Sequence, residues 1–463
     1  MTRKPIIGII DVTAHLYREK LPAFIEEIEK KYREIIQKSF VFADIINFSI
    51  AYERQMVEHC YERMIQAGVD GIVIMFPSYS PSMIIAPVLK KSKLPILLWN
   101  TQHLFEITRS FSSKDMMNNH GMHGIQDLAC VLLREKVPFS IITGHHLQKD
   151  TLLNLENWCK CAVVYSDLKK LKVGRIGGKF KDMGDFSIPD STVKEFFGTE
   201  IIDIEMSDLD EEAKNIPVCE IEKIMEDEED RFVIEIDAET RENSARLERA
   251  LRNLIKKYEL GALAINFMAF RGKSFCRAIP FSVISKFISE GMGYGGEGDV
   301  VCAISVWIFQ KLAGQATFTE MFTTDYKNNR IFMSHMGENN PLMAKNPSGI
   351  RLVEKDMSIT QTGTKTGMFL FQMNPGDVTL FNLAPCKDEK FSIIVTTGSI
   401  EDEQLLPEIN APHFLFQIKK DVREFLNSYS YAGGTHHLAM AYGDHIEILR
   451  MFARISQSQF VKI

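Results

Sequence analysis

Several carboxylate and imidazole side chains in the C-terminal half of the chain are of the types that bind a divalent metal ion. Glu297 and Glu320 supply two carboxylates, and His335 follows the second at short range. The adjacent His436 and His437 lie far downstream. Neighbouring residues in extended backbone point to opposite sides, so only one of this pair is expected to enter a common site. Two carboxylates and one or two imidazoles, without a thiolate, suit an ion such as Mn²⁺.

The glycine-rich run 293–299 must position Glu297. Glycine permits positive φ and close approach of the backbone to a ligand. Asp299 is a suitable N-cap for the helix that follows, and Gly314 is a suitable stop, which places Glu297 just before a helix N-terminus. Residues 293–298 also fit G-x-G-x-x-G, but a predicted helix precedes them and a carboxylate would face the pyrophosphate, so a dinucleotide site is rejected. The two flanking segments predicted to be helices are 281–290 and 300–313.

The elements before this run alternate between strands and helices. Short apolar runs suited to buried parallel strands are separated by longer amphipathic stretches, which predicts a doubly wound parallel sheet over 1–168. A second unit of this kind is expected over 169–314, with its first strand near 171–178. Its acidic stretch 207–230 is typical of a solvated helix face and is assigned no chemistry. The apolar runs of the first unit are 6–10, 42–46, 71–76, 94–99 and 139–143.

The pattern changes after Gly314. Short strand-like runs separated by Asn, Pro and Gly turns predict a mainly antiparallel sheet or barrel over 315–463, with helices near 420–427 and 443–455. The expected architecture is therefore α/β, with two doubly wound, Rossmann-like domains followed by a mainly antiparallel β domain. The run 330–336 is predicted to be a strand that carries His335.

Composition excludes several classes of function. The chain has 463 residues, of which 45% are hydrophobic and 25% charged, and a net charge of −7. This balance lacks the basic surface expected of a nucleic-acid partner. No apolar run is long enough to span a membrane, and the N-terminus lacks a small-residue cleavage site, so a cytoplasmic protein is expected. The scattered cysteines are expected to be reduced.

The ordered set of motifs resembles the L-arabinose isomerase family. GYGGEGD, TFTE, SHM and AGGTHH occur in the order and approximate spacing of that family. Upstream landmarks include HLY at 15–17, SP at 80–81, HG at 123–124 and TGH at 143–145. The resemblance extends from near the N-terminus to about residue 440.

The resemblance implies a metal-dependent aldose–ketose isomerase. It implies three domains and a Mn²⁺ site between the second and third, with Co²⁺ or Mg²⁺ as alternatives. Glu297, Glu320, His335 and His437 would be the metal ligands, and the two glutamates would be the catalytic pair that moves a proton between O1 and O2. Which glutamate does so stays open, as does the choice between a hydride shift and an enediol. The residues expected to contact the sugar are Leu16, Tyr79, His120, His123, Phe180 and Phe270.

The resemblance also implies an assembly and leaves the sugar open. Family members form hexamers in which a neighbour's histidine, matched here by His123, completes the pocket. Departures fall at sugar-contacting positions, because Ala14 and His120 stand where the family has glutamine, and Arg271 stands where it tends to have an acidic residue. L-Arabinose is therefore expected to be a poor or secondary substrate. Alternatives are an isomerase of the L-fucose type or for another sugar, and a non-catalytic sugar-binding protein.

Overall fold

The structure, a computed structural model of the chain, describes residues 3–270, 277–357 and 365–463. Packing divides the chain into two compact units. The N-terminal unit contains the chain up to Asp167 together with Arg450–Gln457. The C-terminal unit contains Leu168–Leu449 and Ser458–Ile463.

The N-terminal unit is built on a five-stranded sheet in which all pairs of strands are parallel. Its middle strand, Gly71–Met75, is buried along its whole length because both faces of the sheet are covered, which explains its continuous apolar sequence. The strands are β1 (Ile6–Asp11), β2 (Asp44–Asn47), β3 (Gly71–Met75), β4 (Ile96–Asn100) and β5 (Ser140–Thr143). Their order, β2-β1-β3-β4-β5, confirms the predicted doubly wound sheet, with its switch point between β1 and β3.

The helices of this unit connect successive strands. Amphipathic α2 buries Ile25, Ile28 and Ile35 on one face, as its sequence period predicts. The helices are α1 (His15–Lys20), α2 (Pro22–Ser39), α3 (Arg54–Gln66), α4 (Ala86–Leu89), α5 (Ser113–Asn118), α6 (Gly121–Arg134) and α7 (Lys149–Leu168).

The first half of the C-terminal unit is a second parallel sheet, with the order β10-β9-β6-β7. β8 lies outside this sheet and pairs with a later strand. The strands are β6 (Lys172–Ile176), β7 (Glu200–Ile204), β8 (Val233–Glu235), β9 (Ala262–Ile265) and β10 (Gly293–Gly296). The helices are α8 (Asp190–Phe197), α9 (Met206–Lys214), α10 (Val218–Arg231), α11 (Ala238–Tyr258), α12 (Phe281–Ser289) and α13 (Val300–Ala313).

The second half is a closed antiparallel barrel. The six strands β15, β18, β11, β12, β17 and β16 pair in that order, and β16 pairs back to β15. β19 adds in parallel to β16, and β13 and β14 form a small sheet with β8. The strands are β11 (Thr317–Asp325), β12 (Arg330–Ser334), β13 (Arg351–Asp356), β14 (Lys365–Leu370), β15 (Gly376–Cys386), β16 (Lys390–Ile400), β17 (His413–Ile418), β18 (His437–Tyr442) and β19 (Gln459–Lys462). The helices that follow are α14 (Val422–Tyr431) and α15 (Ile446–Ser456), and α15 belongs to the N-terminal unit from Arg450 onward.

The glycine-rich run differs from the sequence prediction. Gly293–Gly296 forms strand β10, so a strand and not only a helix precedes the Glu297 turn. The reason is close packing against α13, because a Cβ on Gly293 would overlap the carbonyl oxygen of Ala303 in that helix, and a Cβ on Gly295 would overlap that of its N-cap, Asp299. The predicted N-cap and stop of α13 are confirmed at Asp299 and Gly314.

Two further predictions are corrected. β12 ends at Ser334, so His335 lies one residue beyond the strand that was predicted to carry it. The acidic stretch is not wholly solvated, because Glu228 on α10 is buried. Its carboxylate contacts Arg241 at 2.9 Å and Lys286 at 2.6 Å, and Lys286 also lies 2.6 Å from Glu248, so three helices share one buried ionic cluster.

Two simpler expectations concern the membrane and the cysteines. No helix in the described ranges is long and apolar enough to cross a membrane. The cysteines of these ranges are free, and most are buried, although Cys130 and Cys219 are exposed.

Candidate metal centre

Glu297 lies in the tight turn between β10 and α13. Its backbone adopts a left-handed conformation with φ 59°, and the next residue, Gly298, has φ 79°. A Cβ on Gly298 would overlap the carbonyl oxygen of Gly178, so only glycine fits there. The carbonyl of Glu297 also accepts a hydrogen bond from the backbone N–H of Phe180 at 2.9 Å. These contacts hold the backbone from which the Glu297 side chain projects.

His437 is the first residue of β18, and its ring is fully buried. Its Nδ1 lies 3.0 Å from Oδ2 of Asp299. The other oxygen of Asp299, Oδ1, accepts the N–H of Cys302 at 2.9 Å and so caps α13. The Asp299 carboxylate therefore both caps α13 and orients the His437 ring, and Nε2 of His437 is the ring nitrogen that it does not contact.

His335 has the same arrangement. Its Nδ1 lies 2.7 Å from Oε2 of Glu338, and the other oxygen of Glu338 accepts the hydroxyl of Tyr294 at 2.5 Å. All three side chains are buried. A carboxylate on one ring nitrogen is the usual way in which proteins orient a histidine that binds metal through its other nitrogen.

Glu320 approaches His437 through strand pairing. In the antiparallel register, Glu320 of β11 lies opposite His437 of β18 and opposite Ser334 of β12. Directly opposed residues project from the same face of a sheet, so the carboxylate and the imidazole lie side by side. His335, next to Ser334, adds the third side chain.

The predicted ligands meet as two overlapping groups. Glu320, His335 and His437 form one group, and Glu297, His436 and His437 form the other, with their ligand atoms within 4.8 Å of one another in each. Because Asp299 occupies Nδ1 of His437, only its Nε2 can bind a metal ion, and it can bind only one. The two groups therefore share this one donor atom, and an ion bound to it would be common to both.

The donor atoms fit a divalent cation. Oε2 of Glu297 and Nε2 of His437 are buried, and neither has a hydrogen-bond partner among the described residues. These two atoms lie 4.0 Å apart, so one divalent ion would be within reach of both. Buried polar atoms are rarely left unpaired, because each costs roughly 1–3 kcal/mol.

His436 is the member of the histidine pair that the sequence left without a role, and it lies beside Glu297. Asp185 accepts its backbone N–H at 3.1 Å and lies 2.6 Å from its Nδ1. Its Nε2 is 3.5 Å from Oε2 of Glu297, which is too long for a strong hydrogen bond. Burial alone would lower the pKa of His436, but Asp185 and Glu297 outweigh it and raise the pKa to about 10.

The remaining electrostatics favour charged carboxylates in this cluster. Burial opposes ionisation of Glu297, but His436, His437 and His335 together bring its pKa below the usual range. Burial likewise opposes ionisation of Glu338, and His335 reverses the effect, so the pKa of Glu338 is also lowered. Burial disfavours the charged form of His335, yet Glu338 raises its pKa.

The predicted sugar-contacting residues of the N-terminal unit partly cluster. Tyr79 lies 5.7 Å from His120, and His120 lies 4.3 Å from His123, between ring centroids. The N–H of Ala14 donates to the carbonyl of Tyr79 at 3.0 Å. Leu16, on α1, is exposed.

The two predicted residues of the C-terminal unit differ in exposure. Phe180 is partly exposed, its N–H donates to the carbonyl of Glu297, and its ring lies 6.0 Å from that of Phe267. Phe270 is fully buried, so its ring presents no accessible face here. Arg271 lies outside the described residues.

Sequence reasoning missed the residues that hold the histidines. Glu338 follows His335 by three residues, and that spacing was the available signal. Asp299 was identified only as a helix cap, and Asp185 is more than two hundred residues from His436 in the chain. No local pattern connects residues that far apart.

Comparison with known proteins finds matches to one family along nearly the whole chain. Sequence models of the N-terminal, central and C-terminal domains of L-arabinose isomerase match residues 8–170, 181–315 and 315–459. The L-arabinose isomerase of Yersinia pestis bv. Antiqua (strain Nepal516) is 22% identical over 420 residues, which cover 87% of this chain and 83% of that protein. The enzyme of Yersinia enterocolitica (strain NCTC 13174 / 8081) is also 22% identical, with the same coverage.

Among solved structures, similarity is weak. A carbohydrate transporter from Acidothermus cellulolyticus in complex with myo-inositol is 12% identical and covers 66% of this chain and 86% of its own, with a TM-score of 0.18. A periplasmic solute-binding protein from Actinobacillus succinogenes with bound D-allose gives the same identity and TM-score. The family matches, by contrast, extend over nearly the whole chain, and they show that this protein belongs to the L-arabinose isomerase family of aldose–ketose isomerases.

Proposed function

We propose that this enzyme is metal-dependent and that Glu297, Glu320, His335 and His437 hold a divalent cation such as Mn²⁺. The observation that carries the proposal is the pair of buried, unpartnered atoms, Oε2 of Glu297 and Nε2 of His437. The carboxylates behind both histidines support it, because they leave each Nε2 free to bind. When bound, such an ion would polarise the carbonyl of the sugar and lower the pKa of the neighbouring hydroxyl.

The chain's own residues would then orient the sugar and move the proton. Glu297 and Glu320 are both within reach of the space beside His437, and a carboxylate there can take a proton from one sugar oxygen and return it to the other. Glu297 combines partial exposure with a lowered pKa, which suits a base that is ionised before the substrate arrives. The barrel strands and α13 enclose the site on the buried side and exclude water there.

The test is isomerisation of aldoses in the presence of Mn²⁺, with EDTA-treated protein as the control. Glu297→Gln, Glu320→Gln, His335→Asn and His437→Asn are each expected to abolish activity and to weaken Mn²⁺ binding. Matched controls are Glu62→Gln and His59→Asn, since both residues are exposed. Unchanged Mn²⁺ content and unchanged rate in all four variants would refute the site.

We infer that the preferred sugar differs from L-arabinose. The side chain of Ala14 offers no hydrogen bond where family members have glutamine, and a sugar hydroxyl left unpaired costs about 1–3 kcal/mol. His120, packed against His123 and Tyr79, offers a differently placed ring nitrogen. A site that pairs a particular hydroxyl discriminates strongly against sugars that lack it.

This inference is tested with a panel of pentoses and hexoses. We expect kcat/KM for L-arabinose to lie below that for another sugar. Ala14→Gln, alone or with His120→Gln, is expected to shift preference toward L-arabinose. A wild-type enzyme that turns over L-arabinose better than every other sugar would refute the inference.

We further propose a cytoplasmic homo-oligomer, a hexamer by family resemblance, in which His123 serves a neighbour's pocket. Mixing inactive His123→Ala protein with inactive Glu297→Gln protein is then expected to restore some activity through hybrid sites. An active monomer on a sizing column would contradict this. The domain boundaries 1–168, 169–314 and 315–463 stay predictions.

A further inference from the structure

The loop between β6 and α8, residues 177–189, packs on both adjacent histidines of the C-terminal unit. The ring of Phe186 is buried and stacks on the ring of His437, with centroids 5.6 Å apart and an angle of 17° between the planes. One residue earlier, the carboxylate of Asp185 contacts His436. The loop therefore reaches the candidate metal centre at two neighbouring positions, through an aromatic ring and through a carboxylate.

Asp185 holds His436 by its backbone and by its ring. Oδ2 of Asp185 accepts the backbone N–H of His436 at 3.1 Å and lies 2.6 Å from its Nδ1, so one oxygen makes both contacts. The other ring nitrogen, Nε2, is 3.5 Å from Oε2 of Glu297, and the ring therefore stops short of a strong hydrogen bond to that carboxylate. Oε2 of Glu297 is buried and has no hydrogen-bond partner among the described residues.

The loop that carries Asp185 is fastened to its own sheet. The buried guanidinium of Arg175, on β6, donates to Asp190 at the start of α8 at 2.8 and 2.9 Å. It also donates to Asp203, on β7, at 2.6 and 2.8 Å. The position of Asp185 therefore does not rest on its contact with His436 alone, and a change of the Asp185 side chain is expected to leave the loop folded.

A histidine ring that loses its hydrogen-bond acceptor takes another one within reach. In its neutral and in its charged form the ring carries at least one N–H, and a neutral ring can carry it on either nitrogen. Polar groups that are shielded from water are normally paired. Without the Asp185 carboxylate, a small movement would bring Nε2 of His436 from 3.5 Å to about 2.9 Å from Oε2 of Glu297. His436 would then occupy a carboxylate oxygen that is otherwise unpartnered.

We propose that Asp185 is a positioning residue, which holds His436 back from Glu297 and so keeps Oε2 of Glu297 free for the ion and the sugar. This inference rests on the proposed function, because that function assigns this oxygen to the ion. The carboxylates behind His335 and His437 orient rings that would bind the ion. The carboxylate behind His436 instead restrains a ring that would compete with the ion.

The first test measures the Mn²⁺ affinity of the full-length protein by competition with a chelating dye. Asp185→Ala is expected to weaken Mn²⁺ binding at least about ten-fold, as loss of a carboxylate that supports a metal site typically does. Asp185→Asn keeps an oxygen that can accept both contacts, so it is expected to bind Mn²⁺ as wild type does. The matched control is Asp182→Asn, which alters an 86% exposed carboxylate of the same loop and is expected to change nothing. Asn tolerates the positive φ of 64° at that position.

The second test shows whether Asp185 acts through the His436 ring. His436→Ala removes the ring that would compete, so this variant is expected to bind Mn²⁺ about as wild type does. For the same reason, adding His436→Ala to Asp185→Ala is expected to recover most of the Mn²⁺ affinity that Asp185→Ala alone loses. A residue that only supported the loop would behave differently, because removing a second side chain would not restore what the first change had lost.

The third test is a crystal structure of the metal-free Asp185→Ala protein. Nε2 of His436 is expected at hydrogen-bond distance from Oε2 of Glu297, about 2.9 Å. This measurement needs neither Mn²⁺ nor turnover, so it examines the contact between the two side chains directly.

The outcomes separate this inference from the proposed function. Wild-type protein that binds no Mn²⁺ would refute the proposed function and, with it, the role of Asp185. Where wild type does bind Mn²⁺, equal affinity in Asp185→Ala refutes this inference alone. So does a loss of Mn²⁺ affinity in His436→Ala, which would make the ring a ligand, and so does a double variant that binds no better than Asp185→Ala. A His436 ring that stays 3.5 Å from Glu297 in the Asp185→Ala crystal also refutes it.

Discussion

Asp299→Asn separates the two tasks of the Asp299 carboxylate. Asn and Asp are nearly equivalent helix N-caps, so Oδ1 of the new side chain still accepts the N–H of Cys302. The second oxygen, however, becomes an NH₂ group that faces Nδ1 of His437. An amide NH₂ only donates, so the ring proton of His437 must move to Nε2. The lone pair that would bind a metal ion is then lost.

The size of the effect follows from these two contacts. Loss of a carboxylate behind a metal-binding histidine typically reduces metal affinity 10–100-fold, about 1.4–2.7 kcal/mol. If the amide introduced by Asp299→Asn rotated so that its oxygen faced Nδ1 of His437, the ring would keep its metal-binding tautomer, but the cap on the N–H of Cys302 would be lost, at about 1 kcal/mol. The folded protein without metal is expected to lose no more than a few tenths of a kcal/mol.

The assay is Mn²⁺ binding by competition with a chelating dye, together with thermal melting of the EDTA-treated protein. Asp237→Asn is the matched control, because Asp237 caps α11 through the N–H of Thr240 at 2.8 Å and belongs to neither group of candidate metal ligands. We expect both variants to melt close to wild type and only Asp299→Asn to lose Mn²⁺ affinity. Mn²⁺ binding by Asp299→Asn within two-fold of wild type would refute the tautomer argument. A melting temperature of Asp299→Asn far below that of Asp237→Asn would also refute it.

Three other changes give distinct outcomes. Lys286→Met removes the cation that Glu228 and Glu248 share and leaves each carboxylate with an arginine, so it is expected to cost up to about 3 kcal/mol of unfolding free energy in denaturant titrations, part of which Glu228→Gln recovers. Burial raises the pKa of Asp11 to about 7, above its unfolded value of 3.8, so the folded state holds this proton more tightly and stability falls as pH rises between these values. Asp11→Asn is expected to remove that part of the pH dependence of melting, and unchanged dependence would contradict it. Position 298 has a positive φ, and a Cβ there would overlap the backbone of Gly178, so Gly298→Ala is expected to cost at least about 1 kcal/mol of unfolding free energy and to weaken Mn²⁺ binding. A Cβ on Gly184 would meet open space, so Gly184→Ala is the control and is expected to be neutral.

The amino-acid sequence by itself determined the local structure around the site. The apolar period of the N-terminal half specifies buried parallel strands, because such strands are covered on both faces. Asp299 and Gly314 mark the ends of α13, because capping depends only on neighbouring backbone groups. The residue types of Glu297, Glu320 and His335 already indicate a divalent cation, because ligand chemistry is a property of the side chain.

Tertiary structure decided how these residues are held. Glu320 meets His437 only through the register of β11 with β18, and strand register is a long-range property. Asp185 reaches His436 from a distant part of the chain, which no local pattern records. The burial of Glu228 within an acidic helix likewise depends on its ion pair with Lys286, which lies on another helix. Burial and long-range pairing arise when separate elements pack, so they depend on the whole chain rather than on any one segment of it.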